Sequence, residues 1–149
     1  MGSSYLVSEI TSAFLFAQLE KSHEITLKRL ELWKKYSEKF SFLENEGLIK
    51  LQRIRNHSTN NAHIFYLLLK DNISQKNFIK TMKENSIECT SHYVPLHASP
   101  YGKKISYQNT NVQFTVSVSN RIVRLPLWIG LDKYQDYIIQ KSIEIIRNF

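Results

Sequence analysis

From Ser8 to about Phe40 the chain carries no glycine or proline, and Ile10, Ala13, Phe14 and Ala17, then Leu27, Leu30 and Trp33, recur at helical spacing. This pattern predicts one long helix that can bend near Ser22-His23. Ser8 and Thr11 offer a cap at its start, without the acidic or amide residue that completes a capping box. In the first half Ile10, Phe14 and Ala17 fall on one row while Leu15, Phe16 and Leu19 lie around the rest. A helix apolar nearly all round is normally covered on several sides. The stretch from Asn45 to Asn61, with Gly47 and a run of small polar residues, reads as a surface loop bracketing a short strand near Ile49 to Ile54.

Ala62 to Lys70 is rich in β-branched, aromatic and leucine residues between polar clusters, which predicts a buried strand. Ser74 is placed to cap a helix running through Asn85, with Phe78, Ile79 and Met82 inward. Cys89 to Leu96 reads as another strand, ended by Pro95 because proline lacks the ladder donor. Ser99 to Asn111 is irregular and basic, the composition of a functional or disordered loop. Thr115 to Val123 is ambiguous between helix and strand, and Arg124 to Trp128 reads as a short strand. Asp132 with Gln135 makes an acidic capping pair for a terminal helix whose two apolar rows are Tyr134, Ile138, Ile145 and Ile139, Ile143, Ile146. The order of elements predicts an α+β layer of helices on a small sheet.

With 149 residues the chain suits one domain with its own core, and the longest apolar run, Ile64 to Leu69, is strand-sized, so no membrane partner is expected. No basic stretch leads into an apolar core and a cleavage site, and the only cysteine, Cys89, cannot form an internal disulfide; a cytoplasmic setting follows as the expectation. A net charge of +7 favours a polyanionic partner, but the basic residues are dispersed and no nucleic-acid motif is present. A basic polyanion- or nucleic-acid-binding module is therefore the alternative reading, set against no nucleic-acid partner in the preferred one.

Three segments carry a resemblance. The first is Gly2-Ser3-Ser4-Tyr5-Leu6-Val7-Ser8-Glu9-Ile10 leading to Ala17-Gln18-Leu19-Glu20. The second is Asn61-Ala62-His63-Ile64-Phe65-Tyr66 with His92-Tyr93-Val94-Pro95-Leu96-His97. The third is Arg121-Ile122-Val123-Arg124-Leu125-Pro126-Leu127-Trp128 with a following glycine-leucine turn. In this order and spacing they resemble the DegT/DnrJ/EryC1/StrS family of sugar-nucleotide aminotransferases, most of all those making dTDP-linked 4-amino-6-deoxy sugars. The resemblance implies the small C-terminal domain of an aspartate-aminotransferase-like enzyme that depends on pyridoxal 5'-phosphate (PLP). Residues 1–45 would be an interdomain and interface helix and residues 46–149 the small domain. The implied reaction moves an amino group from glutamate to a nucleotide-linked 4-keto-6-deoxy sugar, within cell-envelope polysaccharide synthesis. The family's Schiff-base lysine lies upstream of the Gly-Ser-Tyr segment, so this chain is expected to be inactive alone and to bind no PLP covalently. It is expected to associate with a large-domain chain or with itself.

By the same resemblance Ser4 and Tyr5 are candidate contacts to the cofactor phosphate across a subunit interface, where hydroxyls and the start of a helix favour an anion. Taken alone they read as a frayed chain end. His92, Tyr93 and His97 are implied substrate contacts; two histidines five apart are otherwise more often structural. Arg121 and Arg124 suit a diphosphate, although arginines ahead of Leu-Pro-Leu can equally hold a helix end or a salt bridge. Many relatives carry Asn-Tyr-Arg at Ser4-Tyr5-Leu6, and acidic residues at Val118 and Asn120. Cys89, His92 and His97 lack the ligand number and spacing of a metal site, and Cys89-His92 lacks an orienting carboxylate, so neither a metal ligand nor a catalytic residue is assigned.

Overall fold

The computed structural model describes residues 5–105 and 112–149. The long helix is present in two pieces, α1 over Glu9–Glu20 and α2 over Ser22–Asn45, parted at Lys21 (φ −102°, ψ 4°). The bend therefore falls one residue before the expected place. Ser8 caps α1, its Oγ accepting from Thr11 N–H at 3.3 Å and lying 2.9 Å from Thr11 Oγ1. None of the residues of α1 is buried, whereas α2 buries Leu32, Tyr36, Phe40 and Leu43 at spacings that keep one stripe inward. Gly47 ends α2 in the left-handed region (φ 72°), with Gly47 N–H donating to Glu44 O and Leu48 N–H to Leu43 O at 2.9 and 3.0 Å.

The sheet is antiparallel throughout, in the order β1 (Ile49–Leu51), β2 (Phe65–Leu69), β4 (Ile122–Leu125), β3 (Thr90–Ser91). Between these strands run α3 (Gln75–Glu84), α4 (Pro100–Ile105) and α5 (Gln113–Ser119), and α6 (Asp132–Arg147) closes the chain. Ser74 caps α3 as expected, accepting from Asn77 N–H at 3.4 Å, and Phe78 and Met82 are buried. Phe65, Leu67 and Leu69 of β2 and Val123 and Leu125 of β4 share one face, and the inward sides of α2, α3 and α6 pack on it. At its centre Phe65 meets Tyr36 at 4.8 Å, Phe40 at 6.1 Å and Trp33 edge-on at 5.6 Å between ring centroids. Such ring pairs add roughly 0.5–1.5 kcal/mol each beyond the area they bury.

Several boundaries differ from the sequence reading, each for a local reason. The strand expected over Ile49 to Ile54 stops at Leu51, whose N–H is taken by Glu44 Oε1 at 2.9 Å rather than by a further strand. The strand expected over Cys89 to Leu96 pairs only at Thr90 and Ser91. Its partner β4 begins at Ile122, the position opposite His92, so beyond His92 the backbone has no ladder to join, and Leu96–Ala98 turns into a short 3-10 helix. Pro100–Ile105, expected as irregular, is α4, with proline at the first helical position where its missing N–H costs nothing. The remainder of that stretch, 106–111, lies outside the described residues, as does Ser4. The ambiguous segment resolves into both possibilities: Gln113–Ser119 is helical and Ile122–Leu125 is strand, so the last strand starts and ends earlier than Arg124 to Trp128. The Asp132–Gln135 capping pair is not formed. Leu131 occupies the N-cap, and Gln135 is fully buried with its Nε2 donating to Leu32 O at 2.6 Å, joining α6 to α2. Tyr134, placed by periodicity on an inner row, is exposed.

Candidate functional site

With helices on one face, the other face of the sheet is open, and strand register decides what it presents. Tyr66 pairs with Arg124 and Arg124 with Thr90, while Lys50 pairs with Leu68 and Leu68 with Ile122. Side chains alternate along a strand, so these two rows lie opposite Phe65, Leu67, Val123 and Leu125. His92 follows Ser91, the partner of Val123, and continues on the open side beside Ile122.

Arg124 sits half-buried in the middle strand of this face. Three of the six arginines are half-buried. Arg29 donates to Ala62 O (2.9 Å) and to His63 O, and Arg121 is ion-paired with Asp71 at 2.7 Å. The Arg124 guanidinium has no hydrogen bond or ion pair among the described residues. A guanidinium partly withdrawn from water and lacking a counter-charge is a seat for an oxyanion, which it can take bidentately.

Next to it a groove of 530 Å³ runs between the chain after β3 and α5, lined by His92, Tyr93, Leu96, Phe114, Val118 and Ile122 among others. Tyr93 and Phe114 are each 80% exposed, and the His92 ring stands edge-on to Tyr93 at 5.3 Å. The structure thus brings His92, Tyr93 and Arg124 to one side of the sheet. His97 is not among the groove's lining residues: it lies in the 3-10 turn, half-buried, and its Nε2 is closed off from solvent with no hydrogen-bond partner among the described residues. Tyr5 is 92% exposed ahead of α1 and makes no polar or ring contact among the described residues. Phe114, Tyr66 and Thr90 went unassigned in the sequence; for Tyr66 and Thr90, which flank Arg124, the signal was strand alternation, visible only once register was fixed.

PLP fits poorly to this chain on its own. Of its two implied phosphate contacts Tyr5 stands free in solvent, and a Schiff-base lysine needs its pKa depressed by burial or a neighbouring cation. Lys28 and Lys141 are shifted the other way, each raised by a hydrogen-bonded glutamate, Glu24 and Glu144. Cys89 is buried, and burial pushes its thiol up to about 12, which removes it as a nucleophile near neutral pH. Burial, and then the proximity of Cys89, also raise Tyr36, whose hydroxyl donates to Pro126 O at 3.1 Å. Among the described residues no three His, Cys, Asp or Glu side chains converge as metal ligands, and no helix is long and apolar enough to cross a membrane.

The architecture, a helical layer on one face of a small antiparallel sheet with the other face open, is found in aminotransferases. It superposes on Helicobacter pylori PseC, an aminotransferase involved in pseudoaminic acid biosynthesis, with a TM-score of 0.81 and 17% identity over 100% of this chain and 40% of that one. A DegT DnrJ EryC1 StrS aminotransferase from Brucella abortus matches with a TM-score of 0.76 and 18% identity, again over 100% and 40% of the two chains. DesV of S. venezuelae, solved with a ketimine intermediate, gives 0.81 and 19% over 94% and 37%. Residues 1–143 match the DegT/DnrJ/EryC1/StrS aminotransferase family, and the chain belongs to that family. A curated relative, the uncharacterized protein MJ1066 of Methanocaldococcus jannaschii, is 30% identical over 131 residues, 85% of this chain and 33% of its own length. The chain therefore spans about a third of that relative.

Proposed function

We propose that this chain is the small domain and interface helix of a PLP-dependent aminotransferase acting on a nucleotide-linked 4-keto-6-deoxy sugar, with dTDP as the nucleotide, glutamate as amino donor and the cytoplasm as its setting. The observation that carries the reading is Arg124, a half-buried guanidinium without a partner among the described residues, set beside an aromatic groove on the open sheet face. In this reading Arg124 takes an oxyanion of the substrate, His92 and Tyr93 hold its hydroxyl-bearing part, and His97 supplies an imidazole nitrogen that the fold leaves without a bond. Ser4 and Tyr5 reach the cofactor phosphate of another subunit. Residues 1–45 form the interdomain helix and 46–149 the small domain. A lysine that this chain does not supply would hold PLP in the complete protein, and the group would supply an electron sink for amino transfer. The contribution of residues 1–149 is to orient the sugar nucleotide and to exclude water from it. The apolar residues of α1, none of them buried within the chain, are covered by a large-domain chain or by a second copy.

The test is a chimera in which the large domain of the Methanocaldococcus jannaschii relative precedes residues 1–149. It should transfer an amino group from glutamate to a dTDP-linked 4-keto-6-deoxy sugar, and Arg124→Met should lower kcat/KM by about ten- to a hundredfold, the loss expected on removing a charged hydrogen bond to substrate. A folded, PLP-loaded chimera that transfers no amino group to that sugar, or whose kinetics ignore Arg124→Met, overturns the reading.

A further inference from the structure

On the opposite end of the β3–β4 pair from His92 lies a second cleft, of 510 Å³, between the residues that follow α3 and the first turns of α6. Its walls are Trp128, Tyr134 and Tyr137, which keep 47%, 60% and 46% of their surface exposed; Ile87 and Ile138 form an apolar floor. None of the three rings is in ring contact with another described residue. Tyr137 is oriented by its hydroxyl, which donates to Asn85 O at 3.3 Å, while the Trp128 indole N–H and the Tyr134 hydroxyl have no partner among the described residues. Glu88 is the one charged residue lining the cleft. It has no ion pair or hydrogen bond among the described residues, in a chain where 20 basic side chains face 13 acidic ones.

Aromatic faces present negative charge density, and a carboxylate adds a full charge; together they attract a cation that is weakly hydrated enough to leave water for them. An oxyanion is repelled by both, which separates this cleft from the Arg124 face. A neutral apolar ligand would gain from the walls and floor and nothing from Glu88. The volume is within the range of small-molecule sites.

We propose that the Trp128–Tyr134–Tyr137 cleft binds a small organic cation, an alkylammonium or quaternary ammonium group, with the cationic head between the rings and Glu88. This site is independent of the proposed aminotransferase reading and uses none of its residues.

The experiment uses residues 1–149 with choline as the probe and 3,3-dimethylbutanol as its uncharged isostere, followed by ¹H–¹⁵N spectra in which the Trp128 indole N–H is resolved from that of Trp33. Choline should shift the Trp128 indole and the amides of 86–88 and 134–138 saturably in the millimolar range. Trp128→Ala and Glu88→Gln should each weaken binding by about three- to thirtyfold, the span of a cation–π contact. The isostere should bind at least about fivefold more weakly, by the same reasoning. The proposal fails if choline leaves these signals unmoved, if the isostere shifts them as strongly, or if Trp128→Ala and Glu88→Gln, with the remaining spectrum intact, bind choline unchanged.

Discussion

Gly102 is the residue on which the geometry of the loop carrying His97 depends. A Cβ built there would lie 1.7 Å from Leu96 O and 2.8 Å from Ser99 Oγ. An ordinary carbon–oxygen contact is about 3.3 Å, so in Gly102→Ala the 3-10 turn and α4 must separate by roughly 1.5 Å. Ser99 Oγ can rotate away, but Leu96 O belongs to the backbone and cannot. The separation breaks Ser99 Oγ–H to Leu96 O (2.7 Å) and Gly102 N–H to Ser99 Oγ (2.9 Å). At about 1 kcal/mol net each, some 2 kcal/mol of local stability is lost. Neither the turn nor α4 buries a residue, so the core does not share the loss. Gly102→Ala should therefore leave the thermal midpoint within about 2 °C of the parent while residues 96–105 exchange amide hydrogens roughly thirtyfold faster. Hydrogen exchange measured by mass spectrometry reads the local change, and a thermal unfolding scan reads the midpoint. Unchanged protection over 96–105, or a global loss above about 1.5 kcal/mol, would show that the turn is not an autonomous unit.

Three further outcomes follow from buried polar groups. The Cys89 thiol, raised from 9.0 to about 12, should react with a disulfide reagent at pH 8 only through unfolding, and native chain reacting as fast as urea-denatured chain refutes this. The folded state favours the neutral thiol, so its contribution to stability is complete below pH 9 and is lost as pH climbs toward 12; Tyr36 acts in the same direction. The urea midpoint should accordingly fall between pH 9 and 11, and less steeply in Cys89→Ala. Gln135→Leu removes the bond to Leu32 O together with a buried Oε1 that has no partner, so the two losses offset and stability should change by less than about 1 kcal/mol; a drop above about 2 kcal/mol in urea unfolding would mean the amide is required.

Elements that bury a periodic stripe were legible in the sequence, and those fixed by their neighbours were not. Phe78 and Met82 behind Ser74, and the run containing Phe65, Leu67 and Leu69, announce α3 and β2 because burial on one side leaves a period of 3.6 or 2. Strand β3 has no such stripe: both its residues are exposed, and its length is set by where β4 begins. The segment before β4 is rich in β-branched residues yet forms α5, with none of its residues buried, so its residue preferences and its structure disagree. Gln135 misled in another way. Three residues after an aspartate it has the position of a capping partner, but its turn of α6 faces the core, and the amide found a carbonyl of α2 instead. At the site, the motif residues His92 and Tyr93 could be named from resemblance alone. What Arg124 faces depends on its pairing with Tyr66 and Thr90, residues 58 and 34 positions away in the chain, and no local pattern carries that.

The same division explains what the chain leaves uncovered. Its core is complete between α2 and α6: Tyr36, Phe40, Phe65 and Phe78 are fully buried. Nothing in that core calls on α1, where Phe14 and Phe16 remain 71% and 65% exposed, nor on Val94, Leu96 and Phe114 along the groove. Scattered apolar residues at a surface need no explanation, but a helix carrying them on every side does, because no single packing partner within a small domain could cover it. Residues that stabilise this fold and residues that remain available to other surfaces are thus two separate sets. In the proposed reading α1 and the open sheet face are the joining surfaces of a chain that spans a third of its relative. Arg124, at the centre of the open face, keeps a guanidinium without a partner among the described residues, whereas the other half-buried arginines, Arg29 and Arg121, are engaged.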